Sequence, residues 1–317
     1  MKKGLFGILV FSLISMFSFP VRPVPQELSG TVTLSGAWAL YPMAVKWAEE
    51  FSKLHPKVKV EVQAGGAGKG LADALAGVVD LGMVSREIHP AEVEKGAFAV
   101  AVVKDGVVPT ISEKNPLLSK ILAAGLKKDA FVAVWITETA KTWGDALGTA
   151  DKPALHAYTR SDACGAAESW AAFFGKRQED LRGIGVYGDP GLAEAVRRDS
   201  LSIGFNNINY AYDAKTLKPL AGIMILPIDL DGSGKIEPAE SFYQDRDAIT
   251  TAIAKGAYPS PPARDLYLVS KGRPQKPLLV EFLRWVLNEG QKFVAETGYI
   301  GLSPEKLADG WNRIQGK

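Results

Sequence analysis

Apolar and polar residues alternate over residues 30–34 and again over 57–62, where Val58, Val60 and Val62 share one side of the chain. That two-residue period predicts strands. Between them, Trp47 and Phe51 stand four residues apart within 40–54, which predicts a helix with one apolar face. Residues 64–70 form a glycine loop, 71–76 carry helix formers, and 78–83 read as a third strand. The alternation recurs downstream. Strands are expected over 131–136 and 156–159, a helix over 166–174, and strand-like runs over 183–187 and 200–213 around residues 191–196. Helices are expected over 278–287, with Pro277 suited to the first turn, and over 289–296. Strands and helices in this succession mark an α/β chain with a largely parallel sheet. There is no repeat of solenoid period and no Pro-, Gly- and Ser-rich linker, so the pattern predicts two lobes joined by crossing strands near 101–108 and 264–269.

The first residues are of another kind. Lys2 and Lys3 precede an apolar run over 5–19, followed by Pro20, Arg22, Pro23 and Pro25. This is the order of an export signal, and it is short for a membrane span. Residues 1–25 are therefore read as a signal peptide and the protein as exported, to the periplasm or cell envelope. Its loss takes Lys2, Lys3 and Arg22 from the 37 basic residues, leaving 34 against 35 acidic ones, a charge of −1. Such a balance gives no case for nucleic-acid binding. Cys164 is the single cysteine, so no internal disulfide is available.

Three glycine junctions stand between a predicted strand and a predicted helix: Gly36-Ala37-Trp38, Gly65-Gly66-Ala67-Gly68-Lys69-Gly70 and Cys164-Gly165-Ala166. Helix N-termini expose N–H groups without internal partners, and their dipole adds partial positive charge. Several such ends aimed at one cleft make a cage for an oxyanion. Ser85-Arg86 follows the third predicted strand, and Arg160 with Asp162 precedes the Cys164 loop. Arginine presents a fork of donors that matches oxyanions, and Asp162 can orient Arg160 or cap the helix. The Gly66–Gly70 loop lacks the terminal Lys-Ser/Thr pair of a P-loop.

These segments resemble the phosphate-binding proteins of ABC importers over nearly the whole chain beyond residue 25. The similarity is carried by Asp80-Leu81-Gly82-Met83-Val84-Ser85-Arg86, by Arg160-Ser161-Asp162-Ala163-Cys164-Gly165-Ala166, by Ser202-Ile203-Gly204-Phe205 with Tyr210-Ala211, and by the stretches 258–267 and 290–300. The resemblance implies a two-lobed α/β periplasmic-binding-protein fold of type II with a hinge of crossing strands. Lobe 1 would comprise 26–105 and 241–317, and lobe 2 would comprise 106–240. It also implies a monomer that captures a small anion for the membrane subunits of an importer. The implied ligand residues are Gly36, Ala37, Trp38, Gly66, Ala67, Gly68, Ser85, Arg86, Arg160, Asp162, Cys164, Gly165 and Ala166. The family's Arg-x-Asp-x-Ser-Gly-Thr loop carries Cys164 and Ala166 here, Ala67 replaces a second-loop serine, and residues 37–39 hold no hydroxyl. Each charge-assisted donor is worth roughly 1.5–3 kcal/mol, so weak phosphate binding is expected. A different or larger anion, with an apolar part stacking on Trp38, fits better.

Residues 229–240 match a twelve-residue calcium template. Its ligands would be Asp229, Asp231, Ser233, the Lys235 carbonyl, Glu237 through water, and bidentate Glu240, with Gly234 at the turn. Pro227 argues against a regular entering helix. A structural Ca²⁺ is expected here. Two other functions remain open on the sequence. One is an envelope scaffold that kept the fold and lost the anion. The other is a thiol-dependent hydrolase, which would need His156 as the base for Cys164.

Overall fold

The computed structural model describes residues 27–317; the expected signal peptide lies outside the described residues. The strands are β1 (Gly30–Gly36), β2 (Val58–Ala64), β3 (Leu81–Val84), β4 (Ala97–Ser112), β5 (Leu126–Lys127), β6 (His156–Arg160), β7 (Ile184–Val186), β8 (Ser202–Asn207), β9 (Ile223–Ile225), β10 (Ile228–Asp229) and β11 (Ala263–Lys271). Nine of them form one sheet in the order β2-β1-β3-β11-β4-β8-β6-β7, with β9 also on β4. The flanks are parallel, β2-β1-β3 on one side and β8-β6-β7 on the other. The centre is not: β11 runs antiparallel to β3 and β4, and β4 antiparallel to β8 and β9. The expected largely parallel sheet therefore holds for the flanks alone.

Strand β4 organises the molecule. Its sixteen residues pair with β11 from Ala97 to Gly106, then with β8 from Val107 to Ile111. The apolar side chains collect in two large clusters, one at each end of this strand. The first holds Leu34, Trp47, Phe51, Met83, Val102, Leu268 and Phe282. The second holds Val108, Phe131, Trp135, Trp170, Phe205 and Ile249. Phe242, Tyr243, Ile253 and Tyr258 belong to the second cluster, so a division at residue 240 does not follow the cores.

Most of the expected helices form where the periodicity places them. Helix Tyr41–Leu54 buries Met43, Ala44, Trp47 and Phe51 on one face, and the Trp47 Nε1 donates to the Gly290 carbonyl at 2.9 Å. The strand expected over 131–136 is instead helix Lys128–Trp135, which buries Ala130, Phe131, Val134 and Trp135. A six-residue apolar run fits a buried strand or a helix face equally well, and the i, i+1, i+4, i+5 burial decides for the helix. The strand expected from residue 78 begins at Leu81, because Gly77 closes the preceding helix at φ +73° and Val78 N–H bonds back to Asp73. That helix, Ala67–Ala76, starts within the glycine loop rather than after it. Residues 289–293 form a 3₁₀ turn. No helix of the described residues is long and apolar enough to cross a membrane.

Candidate functional site

All three glycine junctions lie at strand ends, as expected, and they lie together. Gly36 ends β1 with φ +135°, and a Cβ there would stand 2.4 Å from the Met83 carbonyl oxygen and 2.7 Å from Gly70 Cα. A Cβ on Gly82 would stand 2.3 Å from the Gly70 carbonyl oxygen. Helix Ala67–Ala76 can rest on β1 and β3 only because these three positions lack side chains. Gly36 and Gly70 thus serve this contact first.

The other glycines face across between the two cores. At Gly66, φ is +92°, and a Cβ would meet the Ala163 carbonyl oxygen at 2.9 Å and Asp162 Oδ2 at 3.1 Å. The Gly68 N–H donates to that carbonyl at 3.1 Å, so one of the helix's free donors is satisfied from across the cleft. A Cβ on Gly165 would lie 2.1 Å from the Ser85 carbonyl oxygen and 2.3 Å from its Oγ. Ala67, Ser85, Cys164 and Ala166 are buried. At the outer rim, the Trp38 ring meets Tyr187 edge-on at 6.5 Å between centroids, a Gly188 Cβ would be 3.4 Å from it, and the Tyr210 hydroxyl donates to the Trp38 carbonyl at 3.2 Å. The junctions touch one another directly.

Arg160, at the end of β6, has no exposed side-chain surface. Its Nε and Nη2 donate to the two oxygens of Asp162 at 2.8 and 2.7 Å. Its Nη1 donates to Asp189 Oδ2 at 2.6 Å. The other oxygen of Asp189 accepts from Asn207 Nδ2 at 2.7 Å, and Asn207 Oδ1 accepts from Arg264 Nη2. Asp105 lies 3.7 Å from Arg264. Burial opposes the charge on Arg160, but Asp189 chiefly, with Asp162, holds it more firmly protonated than a free guanidinium. Asp105 goes the other way: burial, against the pull of Arg264, pushes its carboxyl up to about 7. Burial also lowers Arg264.

Arg86, expected at the ligand, forks onto Glu92 at 2.7 and 2.9 Å. It lines a cavity of about 480 Å³ beside β4 and β11, with Lys104, Ser169, Arg264, Asp265 and Lys306. Cys164 caps helix Gly165–Phe173, its Sγ accepting from Ala167 N–H at 3.4 Å. Burial, partly countered by Arg160, pushes its thiol up to about 12, which keeps it protonated and poorly nucleophilic. His156 Nδ1 is 2.7 Å from Asp199 and forms no hydrogen bond with Cys164, so the base a hydrolase would need is engaged elsewhere. Sequence reasoning assigned no site role to Asp189, Asn207, Tyr210 or the charge pair Asp105–Arg264, although Tyr210 and Arg264 stand in segments that carry the resemblance. The one local signal was Gly188-Asp189-Pro190, an acid in the first turn of helix Gly188–Arg198.

The acidic loop stands apart. Asp229 ends β10, and Glu240 sits in the 3₁₀ turn Pro238–Glu240, so no helix enters it. Carboxylate oxygens of Asp229, Asp231 and Glu240 lie within 4.8 Å of one another. Asp229 accepts from the N–H groups of Gly232, Ser233 and Gly234, and Glu240 from those of Leu230, Asp231 and Glu237. Ser233 Oγ donates to the Lys235 carbonyl at 2.9 Å, while Lys235 pairs with Glu237 at 2.8 Å.

A family profile described as a PBP superfamily domain matches residues 24–289. The chain belongs to the PBP superfamily. Among PBP-superfamily relatives, it is 26% identical to the phosphate-binding protein PstS of Xylella fastidiosa, over 92% of this chain and 87% of the relative. It is 27% identical to the phosphate-binding protein PstS of Pseudomonas aeruginosa, over 92% and 89% respectively. A crystal structure of an ABC-type phosphate transport receptor from Vibrio cholerae shares the fold, with a TM-score of 0.62, 19% identity and coverage of 86% of this chain and 100% of that one.

Proposed function

We propose that this PBP-superfamily chain is an exported, monomeric solute-binding protein that captures a small anion and delivers it to the membrane subunits of an ABC importer. It is a binding protein and not an enzyme. The observation that carries the reading is the convergence of two helix starts, at Ala67 and Gly165, with Ser85 and Arg160 between the two cores, on a chain related over 92% of its length to phosphate-binding proteins. The two cores act as lobes of a type II binding-protein fold, and β4 and β11 serve as the hinge. The division that follows the cores puts 27–105 and 264–317 in one lobe and 106–263 in the other. Ligand contacts come from Gly36 to Trp38, Gly66 to Gly68, Ser85, Arg86, Arg160, Asp162 and Cys164 to Ala166.

The direct contacts between junctions describe a closed cleft. Ligand entry requires the lobes to part, breaking the Gly68–Ala163 hydrogen bond and the Trp38–Tyr187 contact. With Ala67, Cys164 and Ala166 in place of hydroxyls, the ligand is an anion other than tightly held phosphate. The loop 229–240 binds Ca²⁺ as a structural clip on the second lobe. Its support is the template spacing together with the three converging carboxylates, which suit a hard cation. The envelope-scaffold reading draws on the same closed contacts and is the alternative the experiment must separate. A thermal-shift screen of oxyanions and small carboxylates, with and without calcium, tests the proposal. Stabilisation by one anion, lost in R160A at a temperature where that variant is folded, supports capture. A folded, calcium-loaded protein that responds to none supports the scaffold.

A further inference from the structure

The cavity of about 480 Å³ beside β4 and β11 falls within the roughly 300–1,000 Å³ of small-molecule sites. We propose that it is a second binding site, separate from the anion cleft, for a small zwitterion of the amino-acid class. The carboxylate of that ligand is held by Lys104 and Lys306, and its ammonium by Glu87 and Glu168. The proposal goes beyond the capture reading and does not depend on it.

Neighbouring residues of a strand point to opposite faces of the sheet. On β11, Arg264 reaches Asn207 and through it the Arg160 network. Asp265 points the other way, to its cross-strand partner Lys104 on β4 and to Lys306. The basic wall of the cavity is therefore on the face away from that network. Asp265 is 6% exposed. Its Oδ2 accepts from Lys306, but its buried Oδ1 accepts no hydrogen bond among the described residues, although Lys104 Nζ is 3.4 Å away. Two ammonium groups thus share one carboxylate, and the donors of Lys104 stay uncommitted. This wall can take an added carboxylate through charge-assisted hydrogen bonds.

The acids come from other elements. Glu168 lies on helix Gly165–Phe173 of the second core, and Glu87 follows β3 of the first. Glu168 accepts the Gln178 N–H at 3.1 Å, and Glu87 the Tyr267 hydroxyl at 3.0 Å. Among the described residues, neither forms an ion pair. Arg86 and Arg264 border the cavity too, but Arg86 forks onto Glu92, and Arg264 is met by Asn207 and Asp105. The unmatched charges are of both signs and stand on different elements. A simple anion would answer the lysines and leave the acids unmatched, and a simple cation would do the reverse. A molecule carrying both charges answers both. Since Glu168 belongs to the second core and Lys306 to the helix Pro304–Gln315 packed on the first, such a ligand bridges the two.

The test is titration calorimetry of the wild-type protein with glycine, β-alanine, 4-aminobutyrate and 6-aminohexanoate, at one pH and ionic strength. Acetate, propionate, methylamine and propylamine are the single-charge controls. At least one amino acid is expected to bind with a dissociation constant below about 1 mM, at least tenfold more tightly than any control. Glu168→Gln, which keeps an acceptor for the Gln178 N–H, and Lys306→Gln should each weaken that binding at least fivefold. No binding of the four amino acids, a control that binds as tightly, or unchanged affinity in either folded variant overturns the proposal. Where circular dichroism shows E168Q unfolded, Glu87→Gln replaces it under the same criterion. None of the substituted residues is among the proposed anion contacts. Failure here therefore leaves the capture reading standing, and an anion screen without response leaves this site standing.

Discussion

Asp162 and Asp189 share a buried arginine, whereas Asp229, Asp231 and Glu240 share only backbone N–H groups. In both regions the acids accept backbone N–H groups, from within the turn in the loop and, in the cleft, from Gly188 and Asn207 farther along the chain. They differ in what neutralises the charge. In the cleft the countercharge is part of the chain, and β6, β8 and β11 bring it there from far apart in sequence. In the loop, among the described residues, no lysine or arginine forms an ion pair with the three converging acids, and Lys235 turns to Glu237. A site that supplies its own countercharge needs no added cation to hold its acids together. A site that lacks one invites it.

Three measurements would break or sharpen this contrast. The largest effect is expected from Arg160→Gln, which leaves Asp162 and Asp189 buried without a cation. Breaking a buried pair from one side costs about 3–5 kcal/mol, so the denaturant midpoint should fall steeply at neutral pH. A loss under about 1 kcal/mol, the scale of a surface pair, would show that the cleft carboxylates are not held by Arg160.

Next is the pH response of Asp105. Its folded carboxyl titrates near 7, above the ordinary aspartate value of about 3.9. Between these values the native chain holds a proton that the unfolded chain has lost, so stability falls as pH rises from about 4 to 7, then levels off. The slope contributed is at most roughly 1.4 kcal/mol per pH unit. Denaturant titrations of the wild type and D105N across that range should show a flatter profile for D105N, and parallel profiles would refute the assignment.

The smallest effect belongs to the loop. Calcium at a hundred times its dissociation constant should stabilise the protein by about 2.7 kcal/mol, and chelation or Glu240→Gln should abolish the gain. Equal melting temperatures with calcium and with a chelator would mean that the three acids form only a solvated turn.

Much of the fold was legible because strand alternation and helix faces leave strong local marks. β2 and helix Tyr41–Leu54 fall where Val58, Val60, Trp47 and Phe51 place them, and β1 and β6 form over the runs expected from residues 30 and 156. Phe131–Trp135 was not legible, since a short apolar run fits two periods at once. The junction glycines could be read as a group because glycine is needed wherever a Cβ would stand 2–3 Å from a neighbouring backbone. Their use could not. Gly36 and Gly70 reveal their packing role only once Met83 lies beneath them. The charge network was hidden for another reason. Asp105, Arg160, Asp189, Asn207 and Arg264 are scattered over 160 positions of sequence, and only the sheet order gathers them. The acidic loop is wholly local, and the convergence of Asp229, Asp231 and Glu240 was legible from their spacing.

Strand β4 carries a consequence of its own. Its sixteen residues extend on the order of 50 Å at about 3.3 Å each, and both cores are stitched to that single segment. Neither core can melt without freeing one end of a strand that the other also uses. The molecule therefore has two interiors but one backbone of cooperativity. A load applied at either end would travel along β4 to the other, as along a shared tendon.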